Sequence, residues 1–493
     1  MPSHRSTAPS RSRWLALVVL CAGMLMIILD GTIVNVALPS IQGDLGFSQS
    51  NLAWVMNAYL IAFGGLLLLA GRLGDLVGRR RVFLAGLVLF TLASALCGLS
   101  TSAAMLIGAR FLQGIGGAMA SAVILGMIVT LFPAGRERTK AIGVYSFVAS
   151  AGASIGLLLG GVLTQGLSWH WIFFVNVPIG VVAFAAATRL LRPERGLGLR
   201  AGADVLGAVL VTSAVMVVVF TIVGAASSGW VSARTLGLGA LGVALLAATV
   251  VRLLKARNPL LPVRILASRN VAGGNLVQML MVAGMFGMFF LGALYLQRVL
   301  HFDEVRTGLA FLPVSVGIGV LSFQFAEKLV TRLGARRVLL AGLALILAGL
   351  VLLVRVPVQG HYLVDLLPSM LLFGVGAGAS FPALMTLLMS GATDDDSGTA
   401  SGLANMTLQV GGAVGLSVLT TFSASHTQAL LERGVPAGAA LTGGFHLAFG
   451  IGAAFVLAAL VLTAVVLRPE PATEPAAEAY PQREAERVSD VVG

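Results

Sequence analysis

The stretch Leu29-Asp30-Gly31-Thr32-Ile33-Val34-Asn35-Val36-Ala37-Leu38-Pro39 decides how this chain is read. It closes an apolar run without a single charge from Trp14 to Leu29, and apolar residues resume after the aspartate. A run of that length crosses a bilayer as a helix. An ionised carboxylate inside such a helix is costly, so Asp30 is a functional candidate by default. About eight residues, ~12 Å of helix, separate it from Leu38. That distance places it below the headgroups.

Composition sets the class. Of 493 residues, 57% are hydrophobic and 11% charged, with a mean hydropathy of +0.96. Soluble domains carry about 25% charged residues, so the chain is an integral membrane protein. Cys21 and Cys97 both fall inside apolar runs, and no disulfide framework is implied. Arg5, Arg11 and Arg13 before the first run imitate a signal peptide. No small-residue cleavage site follows, so the run reads as an uncleaved first span.

Apolar runs bounded by charge, Gly or Pro predict an all-α protein with fourteen transmembrane helices. A β-barrel is excluded, since nothing alternates with period two. The first six spans are 14–38, 52–70, 82–99, 103–131, 141–163 and 171–191. Two more follow at 205–224 and 235–254. The last six are 271–296, 308–330, 338–354, 363–389, 398–422 and 445–466. Residues 14–191 and 265–467 thus form two six-helix bundles, with linkers and inserted spans 7 and 8 over 192–264. Residues 1–13 read as a cytoplasmic tail. Residues 468–493, rich in Pro, Ala and Glu, read as a disordered one.

The net charge of +12 has a positional cause. Twenty-six of the 32 Lys and Arg fall in the two tails and in the loops after even-numbered spans. Arg234, Arg298, Arg306, Arg355 and Arg433 lie on the opposite side, and Arg110 lies within a span. This bias predicts a multi-pass protein of the cytoplasmic membrane with both termini in the cytoplasm. The cations serve orientation and contact with anionic lipid, so nucleic acid is not called for. The loop after span 12 departs from the rule with Asp394-Asp395-Asp396, acids suited to the N-terminus of span 13.

The two bundles repeat one another. Gly143, Gly152 and Gly156 of span 5 recur as Gly402, Gly411 and Gly415 of span 13, displaced by 259. Gly114 and Gly116 recur as Gly374 and Gly376, displaced by 260. Leu73, Gly78, Arg80, Arg81 and Val82 recur as Leu329, Gly334, Arg336, Arg337 and Val338, displaced by 256. Parallel six-span repeats are the architecture of alternating-access carriers, which bind substrate between halves near the midplane.

Further polar residues carry candidate chemistry. Arg110 in span 4 requires an acidic or carbonyl partner inside hydrocarbon. It sits about seven residues, ~10 Å, below the outer surface, nearly the depth of Asp30, so the two can face one another. The span-12 counterpart of Arg110 is Met370, so this chemistry belongs to the first half. Between spans 2 and 3 lies Gly71-Arg72-Leu73-Gly74-Asp75-Leu76-Val77-Gly78-Arg79-Arg80-Arg81. Its glycines permit close helix ends, and Asp75 can pair with a cation. Span 5 adds Gly143, Gly152, Gly156, Gly160 and Gly161, small residues for backbone-to-backbone packing. Asn35, Asn57, Gln113 and Gln409 are candidate pathway residues. Gln278, Asn275 and Asn405 are softer ones, and His446 and Asp365 read as structural or interfacial.

The Gly71–Arg81 pattern resembles the cytoplasmic motif of the major facilitator superfamily. Asp30 with its flanking Thr32, Asn35 and Pro39, and Trp169-His170-Trp171-Ile172-Phe173-Phe174-Val175-Asn176-Val177-Pro178, resemble that superfamily's fourteen-span drug:proton antiporter branch. This resemblance implies a multidrug or antibiotic exporter of major facilitator fold. It implies a conformational switch at Gly71, Asp75, Gly78, Arg79 and Arg80, and proton coupling at Asp30 and Arg110. The span-5 glycines resemble the branch's antiporter signature, with Leu157 where the family has proline.

The expected function is therefore proton-driven export of amphipathic drug-like compounds or metabolites. Its partners are substrate, protons and membrane lipid; no nucleic acid, cofactor or metal is expected, and the unit is a monomer. A uniporter or substrate exchanger of the same fold and a non-transporting membrane sensor or scaffold are the alternatives. No Walker-type motif and no cluster of acid, base and nucleophile argues for an ATPase or another enzyme.

Overall fold

Chain segments too apolar to remain in water become, in the computed structural model, long helices that pair in the same way in two halves. The structure describes residues 10–48, 51–132, 136–193, 196, 198, 204–256, 268–390 and 397–468. In the first half run α1 (Ser10–Leu45), α2 (Trp54–Val77), α3 (Arg79–Gly98), α4 (Ala103–Leu131), α5 (Arg136–Gly166), α6 (Trp171–Phe174) and α7 (Asn176–Leu190). Then come α8 (Val205–Ser228) and α9 (Ala233–Lys255). The second half holds α10 (Arg269–Arg298), α11 (Glu304–Ala310), α12 (Leu312–Val320), α13 (Ala326–Leu333), α14 (Ala335–Leu353), α15 (Leu367–Ser390), α16 (Ser397–Glu432) and α17 (Ala437–Val465).

Among the described residues, twelve helices are long and apolar enough to cross a membrane. The other two predicted spans fall on α5 and on the segment from α11 to α13. The run 308–330, expected to form one helix, is broken. Pro313 opens α12, where its missing N–H costs nothing, and a π-helical turn at Leu321–Phe325 separates α12 from α13. Span 1 is longer than predicted and continues through Pro39 to Leu45. Span 6 is interrupted at Val175, with Pro178 tolerated in the first turn of α7. The Asp394–Asp396 cap and both predicted tails up to residue 9 and from residue 469 lie outside the described residues.

In the first half α1 packs on α5, α2 on α4, and α3 on α4 and α7. In the second half α10 packs on α16, α12 on α15, and α14 on α15 and α17. The repeated glycines set these pairs. A Cβ at Gly114 would meet the backbone of α2 at Tyr59, and one at Gly374 the backbone of α12 at Val314. A Cβ at Gly116 would strike α3 at Phe90, and one at Gly376 would strike α14 at Gly342. Backbone contact this close admits no side chain. Gly78 and Gly334 join their helix pairs at φ 108° and 83°, a region that only glycine adopts freely.

The inserted hairpin has its own placement. α8 packs on α9 and also lies across the seam between halves, against α2 and α16. The Thr421 hydroxyl donates to the Ile222 carbonyl (3.3 Å), and Trp230 stacks on Phe422 at 5.2 Å. The halves are tied directly where α1 ends. Gln297 donates to the Val36 carbonyl (2.8 Å), Arg298 to the Gln42 side chain, and Ser40 to Glu304 (3.1 Å). Gly161 lies against the Glu304 backbone and Gly308 against that of Leu157, so α5 and α11 touch with no side chain between them.

Candidate functional site: a buried ion pair in the first half

Asp30 and Arg110 meet. The carboxylate Oδ2 accepts from Arg110 Nη1 at 2.5 Å, and both side chains are 0% exposed. Arg110 lies about two turns into α4 and Asp30 about four turns before the end of the longer α1, and the two helices bring them to the same level. The pair is caged. Asp30 Oδ1 accepts from Gln113 Nε2 (2.7 Å) and Asn176 Nδ2 (3.2 Å). Both amides also donate to the Ser94 hydroxyl (3.1 Å each), which itself donates to the Phe173 carbonyl at 2.9 Å. Arg110 further donates to Gln113 Oε1 (2.7 Å) and, through Nε, to the Val55 carbonyl (3.0 Å).

Five structural elements of the first half thus contribute to one charge centre. Span 1 brings the carboxylate, α2 a backbone carbonyl, α3 a hydroxyl, α4 the guanidinium and an amide, and α7 a second amide. Aromatic faces complete it: the guanidinium carbon lies 4.4 Å from the Tyr59 ring centroid and 5.7 Å from that of Phe173. Such faces stabilise a desolvated cation. Cys97 reaches Gln113 Oε1 at 3.5 Å. Among the described residues, Arg110 Nη2, the Tyr59 hydroxyl and Asn176 Oδ1 are buried without a hydrogen-bond partner. Each is hydrogen-bonding capacity that a rearranged network can use.

The other predicted residues separate into groups. Gln113 joins the cage. Asn35 instead donates to its own helix at Thr32 (3.1 Å). Asn57 crosses the seam to donate to Ser417 (2.7 Å), and Gln409 sits on the same seam, where its Cβ crowds Gly64. His446 bonds the Val356 carbonyl (2.7 Å), and Asp365 accepts from the His361 amide (2.7 Å). Sequence reasoning missed the roles of Ser94, Tyr59 and Cys97, ordinary residues for a membrane helix. Asn176 was visible only as part of a motif.

The glycines of α5 lie beside the cage. Gly152, Gly156 and Gly160 face α1 at Leu25 and Ile28, at Leu29 and Thr32, and at Ile33, which brackets Asp30. Gly161 turns to the second half at Glu304. The surroundings of Gly143 lie outside the described residues. At the α2–α3 turn, Arg79 pairs with Asp75 (3.2 Å) and donates to the Gly126 carbonyl of α4 (3.3 Å). Arg80 donates to the Thr188 carbonyl at the end of α7 (2.7 Å). Gly71 packs on Ala122 of α4, where an added Cβ would lie 3.9 Å from that of the alanine.

Residues 20–416 match the Major Facilitator Superfamily. A puromycin resistance protein of Streptomyces alboniger is 39% identical over 461 residues, covering 93% of this chain and 91% of that protein. A cephamycin export protein of Amycolatopsis lactamdurans is 38% identical over 462 residues, covering 93% and 94%. Among solved structures, a bacterial homologue of the human lysosomal transporter Spinster, inward-facing and occupied, superposes with a TM-score of 0.66. That match has 14% identity over 93% of this chain and 97% of the other, a likeness of fold alone. With its all-helical architecture, its paired halves and a match that spans most of its length, this chain belongs to the Major Facilitator Superfamily of membrane transporters.

Proposed function

We propose that this protein exports amphipathic drug-like compounds or metabolites across the cytoplasmic membrane in exchange for protons, by alternating access between its two halves. The observation that carries this reading is the fully buried Asp30–Arg110 pair. An isolated charge at such depth is prohibitively costly, so the carboxylate is stable either paired or neutral. Those are the two states a proton carrier needs. The relatives bearing the names puromycin resistance protein and cephamycin export protein support export of antibiotic-like cargo.

The cage suggests how protonation acts. A proton on Asp30 Oδ1, the oxygen that faces Asn176, neutralises the carboxylate and weakens its attraction for Arg110 Nη1, and the new O–H needs an acceptor. A half-turn of the Asn176 amide supplies its unpartnered Oδ1. Arg110 keeps the Val55 carbonyl, Gln113 Oε1 and the Tyr59 face, so the cation is not orphaned. What loosens is the hold between α1 and α4. Further along the same helix, Val36, Ser40 and Gln42 tie α1 to the second half. Movement of α1 therefore links the proton site to the seam, and the backbone contacts of Gly152, Gly156 and Gly160 guide it.

Gly71, Asp75, Gly78, Arg79 and Arg80 form the switch at the cytoplasmic end, where Arg79 joins α2 and α3 to α4. The charge bias supports an orientation with both termini in the cytoplasm, and the protein works as a monomer in this reading. In proteoliposomes, Asp30→Asn is expected to abolish export driven by a pH gradient; undiminished driven export would contradict the scheme. Leu157 at the antiporter-motif proline position favours a second reading, a uniporter or substrate exchanger. Transport by the wild-type protein that a protonophore leaves unchanged would select it.

A further inference from the structure

A cavity of about 590 Å³ lies beside the inserted hairpin, and none of its lining residues belongs to the Asp30 network. Its volume falls within the roughly 300–1,000 Å³ of small-molecule sites. One wall is α8, through Met216, Val217 and Phe220; the other is the first half, through Trp54 and Ile107. Phe220 is 43% exposed, so this apolar slot opens sideways onto the face that α8 presents to hydrocarbon.

The two ends of the slot differ in chemistry. Its deep part is hydrocarbon-like, while its rim carries Ser48 and Asn51 from the α1–α2 turn. Beside the rim stands Arg234, at the start of α9, with its guanidinium carbon 5.9 Å from the Phe220 ring centroid. Among the described residues, no carboxylate lies within ion-pair distance of Arg234. An apolar slot under a polar rim with one cation is complementary to a single-headed apolar chain carrying negative charge. The cation–aromatic contact fixes the charge directly over the slot.

We propose that this crevice binds one acyl chain of an anionic phospholipid from the outer leaflet, with the phosphate on Arg234. The site stands apart from proton coupling; only its leaflet rests on the orientation proposed above. One of its walls, α8, also lies across the seam and packs on both halves. Towards its far end α8 is fastened to the second half by Thr421 and by the Trp230–Phe422 stack, while Trp54 and Ile107 belong to the first half. A rocking motion of the halves changes the width of the slot, so a lipid seated there favours the state in which the slot is open. The inserted hairpin thereby acts as a lipid-sensing wedge at the seam.

Native mass spectrometry of the full-length, delipidated protein tests this with added dioleoyl phosphatidylglycerol or dioleoyl phosphatidylcholine. A first-bound lipid with about five-fold preference for phosphatidylglycerol is expected, the typical effect of one basic side chain at a headgroup. Arg234→Gln should erase the preference and keep the binding of the chain. Ala103→Phe and, on the opposite wall, Met216→Phe should each remove that first-bound lipid for both headgroups. Two independent fillings keep the test decisive if one variant fails to fold. Equal affinity for the two lipids, or lipid binding untouched by either folded filling variant, overturns the proposal. So does occupation of the crevice by ethidium, used as a drug-like probe, read as tryptophan quenching that Trp54→Phe removes and added phosphatidylglycerol does not relieve. None of these readouts depends on whether Asp30 couples protons.

Discussion

The two halves of this protein share their helix pairing and differ in what they bury. In the first half, α1 and α4 enclose a carboxylate, a guanidinium and two amides together with α7. The equivalent places in the second half are apolar. Arg110 corresponds to Met370 and Gln113 to Phe373, both essentially without exposure. Gly156 presses on Leu29 and Gly415 on Ala283, a displacement of 254 along α1 and α10 that sets Gly284 where the first half has Asp30. Phe373 meets Phe289 edge-on at 6.0 Å, and Phe289 stacks on Phe311 at 5.7 Å. Backbone packing, set by small residues, is thus independent of the chemistry that fills the gaps. One copy is free to carry a buried ion pair while the other remains apolar at the matching places.

Giving the first half the second half's residue is the harshest test. Arg110→Met leaves Asp30 buried without its cation and should cost about 3–5 kcal/mol, read as a large drop in thermal unfolding midpoint in detergent. Adding Asp30→Ala should restore most of that stability, since an apolar pair at such a site is often neutral or better. It should not restore driven export. Recovery of both properties would mean the polar cage is structural. A smaller loss is expected where the halves agree. Gly156→Leu and Gly415→Leu each force a side chain against backbone, of α1 and α10 respectively. Each should cost about 1–3 kcal/mol in comparable measure; a loss confined to Gly156 would show that the two interfaces are not equivalent.

The turn glycines sharpen the same comparison at lower amplitude. Gly78→Ala and Gly334→Ala both put a Cβ on a positive-φ residue, at about 1–3 kcal/mol each by melting. Only Gly78→Ala should also slow transport, because Arg79 and Asp75 flank that turn alone. The smallest effect belongs to Cys97→Ser, which replaces a weak contact to Gln113 by a hydroxyl in the same place. A change of less than about 1 kcal/mol is expected, with driven export preserved.

Much of this was legible because lipid leaves a chain few choices. Every backbone group must be bonded within the helix, so uncharged runs of sufficient length disclosed the spans. The cost of charge in hydrocarbon singled out Asp30 and Arg110 before any contact was known. The glycine offsets disclosed the repeat, since positions that bury backbone against backbone tolerate nothing larger. Helix interruptions were less legible. Pro39 leaves α1 intact, whereas the run 308–330 breaks just before Pro313 and again at a π-helical turn that holds no proline, so the position of prolines does not by itself locate an interruption.

Sequence by itself determined a membrane-spanning helical repeat protein with one acid and one base at similar depth, because length, hydropathy and spacing are properties of the chain alone. Only the tertiary structure decided that those two touch, that Ser94, Asn176, Tyr59 and the Val55 carbonyl complete their cage, and that Asn35 turns back on its own helix. It also placed the inserted α8 across the seam of the halves. Such choices depend on the rotation of each helix about its axis, and that rotation is set by neighbours distant in sequence.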